Sequence, residues 1–230
     1  MTATKSYYTS WEELEAAIRS CSRCPLHKSR RNPVPGEGPR NAEVMFIGEA
    51  PGATEDEMGR PFVGAAGKLL TMALESAGIP RSSVYITNVV KCRPPSNREP
   101  RPEEIEACSV FLESQILLLK PRIIVTLGNV AGKKVFELGN LRWSGVTKMR
   151  GRLYTLSILG LKVVVIPTIH PAAALYNPSM RDILFNDLKN VKRVLDEISQ
   201  TLTVASGDEL SAPEQGGRKA KSLLDYVKRG

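Results

Sequence analysis

Four cysteines, the only ones in the chain, are spaced in a way that suits a metal centre. Cys21 and Cys24 form a close pair, and after a gap of 67 residues Cys92 and Cys108 form a wide pair. Four thiolates can bind tetrahedral zinc or an iron–sulfur cluster. Zinc sites usually draw on two close pairs, so the wide second pair favours a 4Fe-4S cluster, with zinc as the alternative.

Four other side chains suit the recognition of a small, flat molecule. Glu49 directly follows the first apolar segment of the chain, and Phe62 lies in the long glycine-punctuated loop after it. Asn88 opens a second loop, where its amide can both donate and accept, and His170 opens a third. Each residue alone has an ordinary structural explanation. Together, an acid, an aromatic ring, an amide and an imidazole favour a hydrogen-bonding heterocycle over a peptide or a sugar.

Four short segments rich in valine and isoleucine predict the strands that position these side chains. Each segment is nearly continuous in apolar residues, as expected of parallel strands that are buried on both faces. The predicted strands are Val44–Gly48, Val84–Val90, Arg122–Gly128 and Lys162–Thr168. Because helical patterns alternate with them, the sequence predicts an α/β fold, a three-layer α/β/α sandwich with a central, mainly parallel four-stranded sheet. Such folds bind ligands outside the carboxyl ends of the strands, where the four side chains lie.

Helical periodicity fills the intervals between the strands and places the cysteines. The first helix begins with a capping box at Ser10 and Glu13 and ends just before Cys21. Another helix opens near Pro102 and turns Cys108 inward with its apolar stripe. The other helical patterns cover Ala66–Ala77, Asn129–Leu138 and Met180–Ile198. The four-cysteine centre is therefore expected to staple the N-terminal arm to the domain.

The length and composition predict one domain and a tail. We assign residues 1–202 to a single domain and residues 203–230, rich in Ser, Gly, Glu and Lys, to a flexible C-terminal tail. Within the tail, Ala220–Val227 resembles peptides that bind the sliding clamp of replication, without their usual leading glutamine. The chain has no signal-peptide core and no stretch long enough to span a membrane, so we expect an intracellular protein with no membrane partner.

The net charge of +8 and the isoelectric point near 9.4 predict a polyanionic partner. Basic residues cluster around the first cysteine pair, around Cys92 and over residues 142–152. In the second cluster, Arg93 and Arg98 are candidates for contacts with DNA phosphates. Two of the three clusters adjoin the cysteines, which favours nucleic acid over a merely solvated surface.

Four motifs, in register with the cysteines, resemble those of the family 4 uracil-DNA glycosylases, the iron–sulfur type of bacteria and archaea. The motifs are GEAPG (48–52), GRPFVG (59–64), TNVVKCRPPSNR (87–98) and HPAA (170–173). The match extends from about Cys21 to Ile198. This resemblance implies a cytoplasmic prokaryotic repair enzyme with a 4Fe-4S cluster. It would hydrolyse the N-glycosidic bond of uracil in double- and single-stranded DNA and leave an abasic site.

The resemblance also implies roles for individual residues. Phe62 would stack on the uracil, Asn88 would hydrogen-bond its Watson–Crick edge, and the backbone at Ala50 would help to hold it. His170 would stabilise negative charge at uracil O2 as the bond breaks. Glu49 would position or polarise the attacking water, because Ala50 replaces the aspartate that family 1 enzymes carry one residue later in this loop.

Three more residues complete the predicted site. Glu55 matches an acid of the family and is grouped with the substrate-binding residues without a defined role. The loop after His170 is a predicted minor-groove wedge, in which Leu175 or Tyr176 fills the space of a flipped-out base. The enzyme would act as a monomer.

Two other functions remain open at this point. A non-catalytic iron–sulfur protein that binds nucleic acid would explain the cysteines and the charge, but not the acid, ring, amide and imidazole. The same fold acting on another deaminated base, such as hypoxanthine, would explain both, because an amide like that of Asn88 can be reoriented.

Overall fold

The computed structural model describes residues 6–207, which form a five-stranded, mainly parallel sheet with helices on both faces. The strands are β1 (Val44–Gly48), β2 (Tyr85–Asn88), β3 (Ile123–Leu127), β4 (Tyr154–Ile158) and β5 (Leu161–Thr168). Their order is β2-β1-β3-β5-β4, and only the β4–β5 pair is antiparallel. The predicted α/β class and the mainly parallel sheet are confirmed.

The predicted number of four strands was wrong, because the edge strand β4 was missed. Its burial alternates, with Leu156 and Ile158 buried and Thr155 and Ser157 exposed, so it lacks the continuous apolar run of the inner strands. A two-residue turn, Leu159–Gly160, joins it to β5 with positive φ at both positions (52° and 81°). Such turns are usually marked by Asn-Gly or Asp-Gly, so this hairpin had a weak sequence signal.

The helices cover both faces of the sheet. They are α1 (Trp11–Arg19), α2 (Ala53–Met58), α3 (Ala65–Ser76), α4 (Pro102–Leu119), α5 (Asn129–Leu138), α6 (Val146–Met149) and α7 (Pro178–Gly207). Helices α1, α4 and α5 pack with one face of the sheet, and α3 and α7 pack with the other. Alternate residues of β1 divide between the two cores, Met45 and Ile47 facing one, and Val44 and Phe46 the other.

The ends of the helices follow the sequence signals. The Ser10 hydroxyl accepts a hydrogen bond from the Glu13 main-chain N–H, 3.2 Å away, at the start of α1, and Cys21 follows shortly after its end. Gly78, with φ of 73°, follows α3. Helix α4 begins at Pro102 and buries Cys108, as the apolar stripe predicted.

Helix α7 is longer than predicted and reaches Gly207, beyond the expected start of the tail at residue 203. The rest of the predicted tail, with the clamp-like peptide Ala220–Val227, lies outside the described residues. The domain boundary therefore stays a prediction. No helix in the described part of the chain has the length and apolar character needed to cross a bilayer.

Candidate active site and cysteine cluster

The loops after β1, β2 and β5 surround a cavity of about 430 Å³ at the carboxyl edge of the sheet. The connections from β1 and β3 lead to opposite sides of the sheet, and ligands of α/β folds bind at such a switch point. Seven predicted site residues line this cavity: Glu49, Ala50, Glu55, Phe62, Asn88, Arg98 and His170. The structure thus brings together every residue predicted to bind the substrate or to catalyse the reaction.

Phe62 and Asn88 meet above a glycine. A Cβ atom on Gly48 would lie 2.4 Å from Asn88 Oδ1 and 2.5 Å from Phe62 Cζ, closer than real Cβ contacts allow. The ring of Phe62 also faces that of His170, with 5.7 Å between the ring centroids. The absence of a side chain at Gly48 therefore lets an aromatic plate and an amide close on one narrow slot.

The loop of Phe62 is held in an uncommon conformation by Glu55. Phe62 has a φ of 50°, in the left-handed region that non-glycine residues rarely adopt. Glu55 Oε1 accepts hydrogen bonds from the main-chain N–H groups of Val63 and Gly64, at 2.9 and 2.8 Å. The observed contacts of Glu55 therefore position the aromatic plate, while its carboxylate also lines the cavity.

Asn88 presents an unpaired acceptor to the slot. The residue is buried at the end of β2, and its Oδ1 has no hydrogen-bond partner among the described residues. A buried polar atom without a partner costs free energy unless a ligand or water satisfies it. A ring N–H of a bound base would supply that partner.

His170 is held as a neutral imidazole with a known tautomer. Its Nδ1 lies 3.2 Å from the main-chain N–H of Ala172, which can only donate, so Nδ1 accepts and Nε2 carries the proton. Desolvation lowers the pKa of His170 to about 4, although the charge of Glu55 acts in the opposite direction. The imidazole therefore offers a fixed N–H donor at neutral pH.

Glu49 is a partly buried carboxyl group at the mouth of the same slot. Burial raises its pKa above the ordinary value, and the neighbouring charge of Glu99 raises it further. A carboxylate with a raised pKa is a stronger base than an exposed one, which suits a group that takes a proton from water.

The predicted wedge residues differ in exposure. Leu175 is half-buried and packs against the core, whereas the side chain of Tyr176 is 94% exposed. Both follow the short 3-10 helix Pro171–Ala174, which begins beside His170. Of the two, Tyr176 has the freedom to enter a base stack.

The two predicted phosphate contacts, Arg93 and Arg98, both make bonds within the protein. Arg98 binds the buried carboxylate of Glu104 through two hydrogen bonds of 2.6 and 2.8 Å. Arg93 Nε donates to Asn97 Oδ1, 2.7 Å away. Asn97 also lines the cavity, and its main chain has a φ of 55°. It was not among the predicted site residues. Its position nine residues after Asn88, in the same motif, was the available signal.

The four cysteines line one shared cavity, next to α1 and α4. All four are free thiols; Cys92 and Cys108 are buried, and Cys21 and Cys24 are half-buried. Among the described residues, no three His, Cys, Asp or Glu side chains are arranged to hold a single metal ion. Four thiols around one cavity can supply the ligands of an iron–sulfur cluster or of zinc.

Burial and hydrogen bonding act in opposite directions on the charge of the thiols. Desolvation raises the pKa of Cys92, and that of Cys108 to about 12, so without a metal both would stay protonated. Arg30 Nη1 donates to Cys92 Sγ at 3.1 Å, and the main-chain N–H of Lys91 donates to Cys108 Sγ at 3.3 Å. Arg30, counted in the basic stretch expected to face nucleic acid, is thus directed at a thiol.

A buried aspartate ties the cysteine arm to the cavity. The carboxylate of Asp56 accepts hydrogen bonds from the main-chain N–H of Arg31, at 2.9 and 3.0 Å, and of Asn32, at 3.3 Å. Asp56 neighbours Glu55 on α2, so the arm that follows Cys24 is fastened to the helix that positions Phe62. The sequence does not indicate this contact, because Asp56 lies in a run of acidic residues, and such runs are usually exposed to solvent.

Comparison with known proteins shows which family the chain matches. The family model of the Uracil DNA glycosylase superfamily matches residues 35–198. The chain is 50% identical over 196 residues to a type-4 uracil-DNA glycosylase of Saccharolobus solfataricus, covering 84% of this chain and 91% of the relative.

Two further relatives carry the same name. The type-4 uracil-DNA glycosylase of Archaeoglobus fulgidus is 46% identical over 193 residues, which are 84% of this chain and 97% of the relative. That of Thermotoga maritima is 46% identical over 196 residues, with 80% of this chain and 96% of the relative covered. The chain therefore belongs to the uracil-DNA glycosylase superfamily, and within it to the type-4 group.

Proposed function

We propose that this protein excises uracil from DNA by hydrolysing its N-glycosidic bond, releasing free uracil and leaving an abasic site for base excision repair. The observation that carries the proposal is the slot between Phe62 and Asn88, whose buried Oδ1 has no partner in the described part of the chain. The names of the type-4 relatives support the same activity. A duplex substrate must first turn the target nucleotide out of the stack, because the cavity accepts only an extrahelical base.

Recognition and bond breaking divide among the residues of the slot. The flipped uracil stacks on Phe62, and its N3–H donates to Asn88 Oδ1. The main chain at Ala50 helps to hold the ring. As the bond between C1′ and N1 breaks, the electron pair passes to the uracil, and the Nε2–H of His170 donates to O2, where negative charge develops. Glu49 orients a water and takes its proton as the water oxygen bonds to C1′.

For the cysteines, we propose a 4Fe-4S cluster with a structural role. The residues that would hold it are Cys21, Cys24, Cys92 and Cys108, and the thiol set together with its N–H donors fits such a group. Four thiolate ligands leave no open coordination position, so the cluster would serve to staple the N-terminal arm to the domain. The cysteine segments would then present a basic surface, including Arg93 and Arg98, to DNA phosphates.

The remaining parts of the proposal concern partners and location. DNA, double- or single-stranded, is the partner that the charge and the relatives support, and the protein acts on it as a monomer. We place the protein in the cytoplasm of a prokaryotic cell, because the named relatives come from archaea and bacteria. A contact of the tail peptide Ala220–Val227 with the sliding clamp belongs to the proposal as well, and a pull-down with chains ending near Ser211 tests it.

An assay of base release tests the proposed activity. The protein should release uracil from DNA, and Asn88→Ala should lower kcat/KM for uracil about 10- to 100-fold, the cost of one or two hydrogen bonds to the base. Affinity for the abasic product should stay unchanged. Asn190→Ala is the matched control, because that amide binds the Gly151 carbonyl and does not line the cavity.

The same assay separates the alternatives. DNA binding without any base release would establish a non-catalytic binder, and faster release of hypoxanthine than of uracil would change the substrate. Thymine in a mismatch serves as the negative substrate.

The exposed tyrosine predicts a difference between duplex and single-stranded substrates. Tyr176→Ala should lower kcat/KM on duplex DNA about tenfold, since a wedge offsets part of the few kcal/mol needed for unstacking. Activity on single strands, which need no wedge, should stay within twofold of the wild type. Leu175→Ala is the comparison variant. It should mainly lower the thermal stability of the protein, because Leu175 packs against the core. Equal losses on both substrates would contradict the wedge.

A further inference from the structure

A fully buried lysine lies behind the base-reading strand. The side chain of Lys91 is among the least exposed in the protein, although burial of an ammonium group is costly. Its Nζ donates to the main-chain oxygen of Asn88 at 2.6 Å, to Gln115 Oε1 at 2.7 Å and to Thr87 Oγ1 at 2.8 Å. Three acceptors thus surround Nζ, as many as a protonated lysine can use.

The contact with Asn88 matters because it bears on the direction of the side-chain amide. The Oδ1 atom has no partner among the described residues, so the aim of the amide depends on the main chain that carries it. On the β1 side, the pairing of Gly48 with Asn88 and a bond from Val89 N–H to the Gly48 oxygen fix that main chain. On the opposite side, Lys91 binds the Asn88 carbonyl directly.

The lysine is anchored to two other parts of the fold. Gln115, on α4, donates through Nε2 to the Pro35 oxygen at 2.7 Å and to the Tyr85 hydroxyl at 3.1 Å. The Thr87 hydroxyl lies 2.8 Å from the same Pro35 oxygen. Helix α4 and the segment before β1 therefore hold Lys91 Nζ in place through these hydrogen bonds. Lys91 Nζ in turn holds the main-chain oxygen of Asn88 at the end of β2.

Lys91 also borders the cysteine cavity. It lines that cavity, precedes Cys92 in the chain, and donates its main-chain N–H to Cys108 Sγ. One residue thus touches the cysteine cavity through its main chain and the base-reading segment through its side chain.

We propose that Lys91 is a positioning residue for base recognition, which sets the aim of the Asn88 amide by fixing its main-chain carbonyl. The proposal rests on the proposed excision of uracil. Its physical content is that a displacement of the amide by a fraction of an ångström weakens the bond to the base and slows the step that needs an aligned ring. The buried polar network behind Asn88 therefore contributes to substrate recognition as well as to stability.

Lys91→Met tests the proposal, because it keeps the length of the side chain and removes the donors. We expect kcat/KM on single-stranded uracil DNA to fall about 10- to 100-fold, the loss that a small misplacement of a binding group produces. The inhibition constant of free uracil should rise about tenfold for the same reason. Affinity for abasic DNA, which contains no base to read, should stay within twofold of the wild type.

Two further variants separate positioning from stability. Thr87→Val removes one acceptor of Lys91 with little change of shape, and it should shift the uracil inhibition constant in the same direction by less. Lys134→Met alters another buried lysine, which faces Glu106 and Glu113 and does not line the cavity. It should lower the melting temperature and leave both kinetic constants unchanged.

A measurement without substrate distinguishes failure of this proposal from failure of the proposed function. Hydrogen–deuterium exchange over residues 85–93 should accelerate in Lys91→Met and Thr87→Val, and not in Lys134→Met. A wild-type protein that releases no uracil, with this exchange pattern intact, would refute the excision and leave the positioning of Asn88 standing. Lys91→Met and Thr87→Val with wild-type exchange and wild-type uracil inhibition would overturn the role of Lys91.

Discussion

Replacement of His170 by alanine should slow uracil release about 10²- to 10³-fold in kcat, the usual cost of a donor aimed at developing negative charge. The reason lies in the tautomer: Ala172 N–H donates to Nδ1, so the proton on Nε2 is fixed in advance at the edge of the slot. Because this donor acts mainly when the uracil becomes an anion, KM and the affinity for abasic DNA should change little. Single-turnover kinetics measure the chemical step directly.

The pH dependence of the same step follows from the lowered pKa of His170. The group titrates near pH 4 in the folded protein, against about 6.5 in an unfolded chain. The neutral form that accepts from Ala172 therefore persists from pH 8 down to about pH 5, and His170 should contribute no inflection of kcat near pH 6.5. Below that pH the unfolded chain binds more protons than the folded one, so stability falls as pH is lowered from about 6.5 towards 4.

Two results would contradict this account of His170. One is an inflection of wild-type kcat near pH 6.5 that disappears in His170→Ala, which would mean that the ring titrates normally and acts as a charged group. The other is a drop in kcat of less than about threefold, since even a single neutral hydrogen bond is worth more than that.

The site residues were predictable because the fold places the ends of parallel strands at one edge of the sheet. Glu49 and His170 follow, and Asn88 ends, a strand that the continuous apolar runs identify, and parallel pairing then brings them together. Phe62 lies further along the loop from the end of β1. Its place in the site was predicted from the motif that contains it. The structure adds the physical reason, because the carboxylate of Glu55 holds the loop that carries Phe62.

The supporting contacts were not predictable, because they join residues of ordinary type across long stretches of chain. Arg30 reaches Cys92 across 62 residues and Asp56 binds main-chain N–H groups at Arg31 and Asn32. In the sequence, Arg30 and Lys91 add to the basic charge beside the cysteines, and only the structure shows that one binds a thiol and the other is buried. From sequence alone, an acidic or basic side chain is expected to be exposed, because its partners within the fold are not known.

Much of the positive charge is likewise committed within the fold. Eight arginines of the described residues form ion pairs with acids, among them Arg31 with Glu57, Arg40 with Glu12, Arg60 with Glu37, Arg98 with Glu104 and Arg150 with Asp187. The net charge of +8 predicted a polyanionic partner, but the clustering in sequence overstated how much of that charge is free to meet one. Contacts to DNA phosphates therefore depend on fewer groups than the basic stretches indicated.

The largest effect is expected from loss of a cysteine. Cys108→Ser should remove the iron–sulfur absorbance, lower the free energy of unfolding by about 4–5 kcal/mol, and lower the melting temperature by about 10–20 °C. The serine leaves a buried hydroxyl among the remaining three thiols, and the arm that carries Cys21 and Cys24 loses its anchor on α4. Iron content, visible absorption and thermal unfolding check these results on the full chain.

Loss of the proposed 4Fe-4S cluster should also abolish most of the uracil release, although no cysteine lines the active-site cavity. The physical link is the bond of Asp56 to the arm, since α2 carries both Asp56 and Glu55, and Glu55 holds the strained loop of Phe62. Glu57→Gln is the matched control: it removes only the exposed ion pair of Glu57 with Arg31 between the same two segments, and it should leave activity unchanged. A colourless wild-type protein with stoichiometric zinc would contradict the iron–sulfur assignment. A Cys108→Ser protein without iron that releases uracil at the wild-type rate would show that the arm and the aromatic plate are independent.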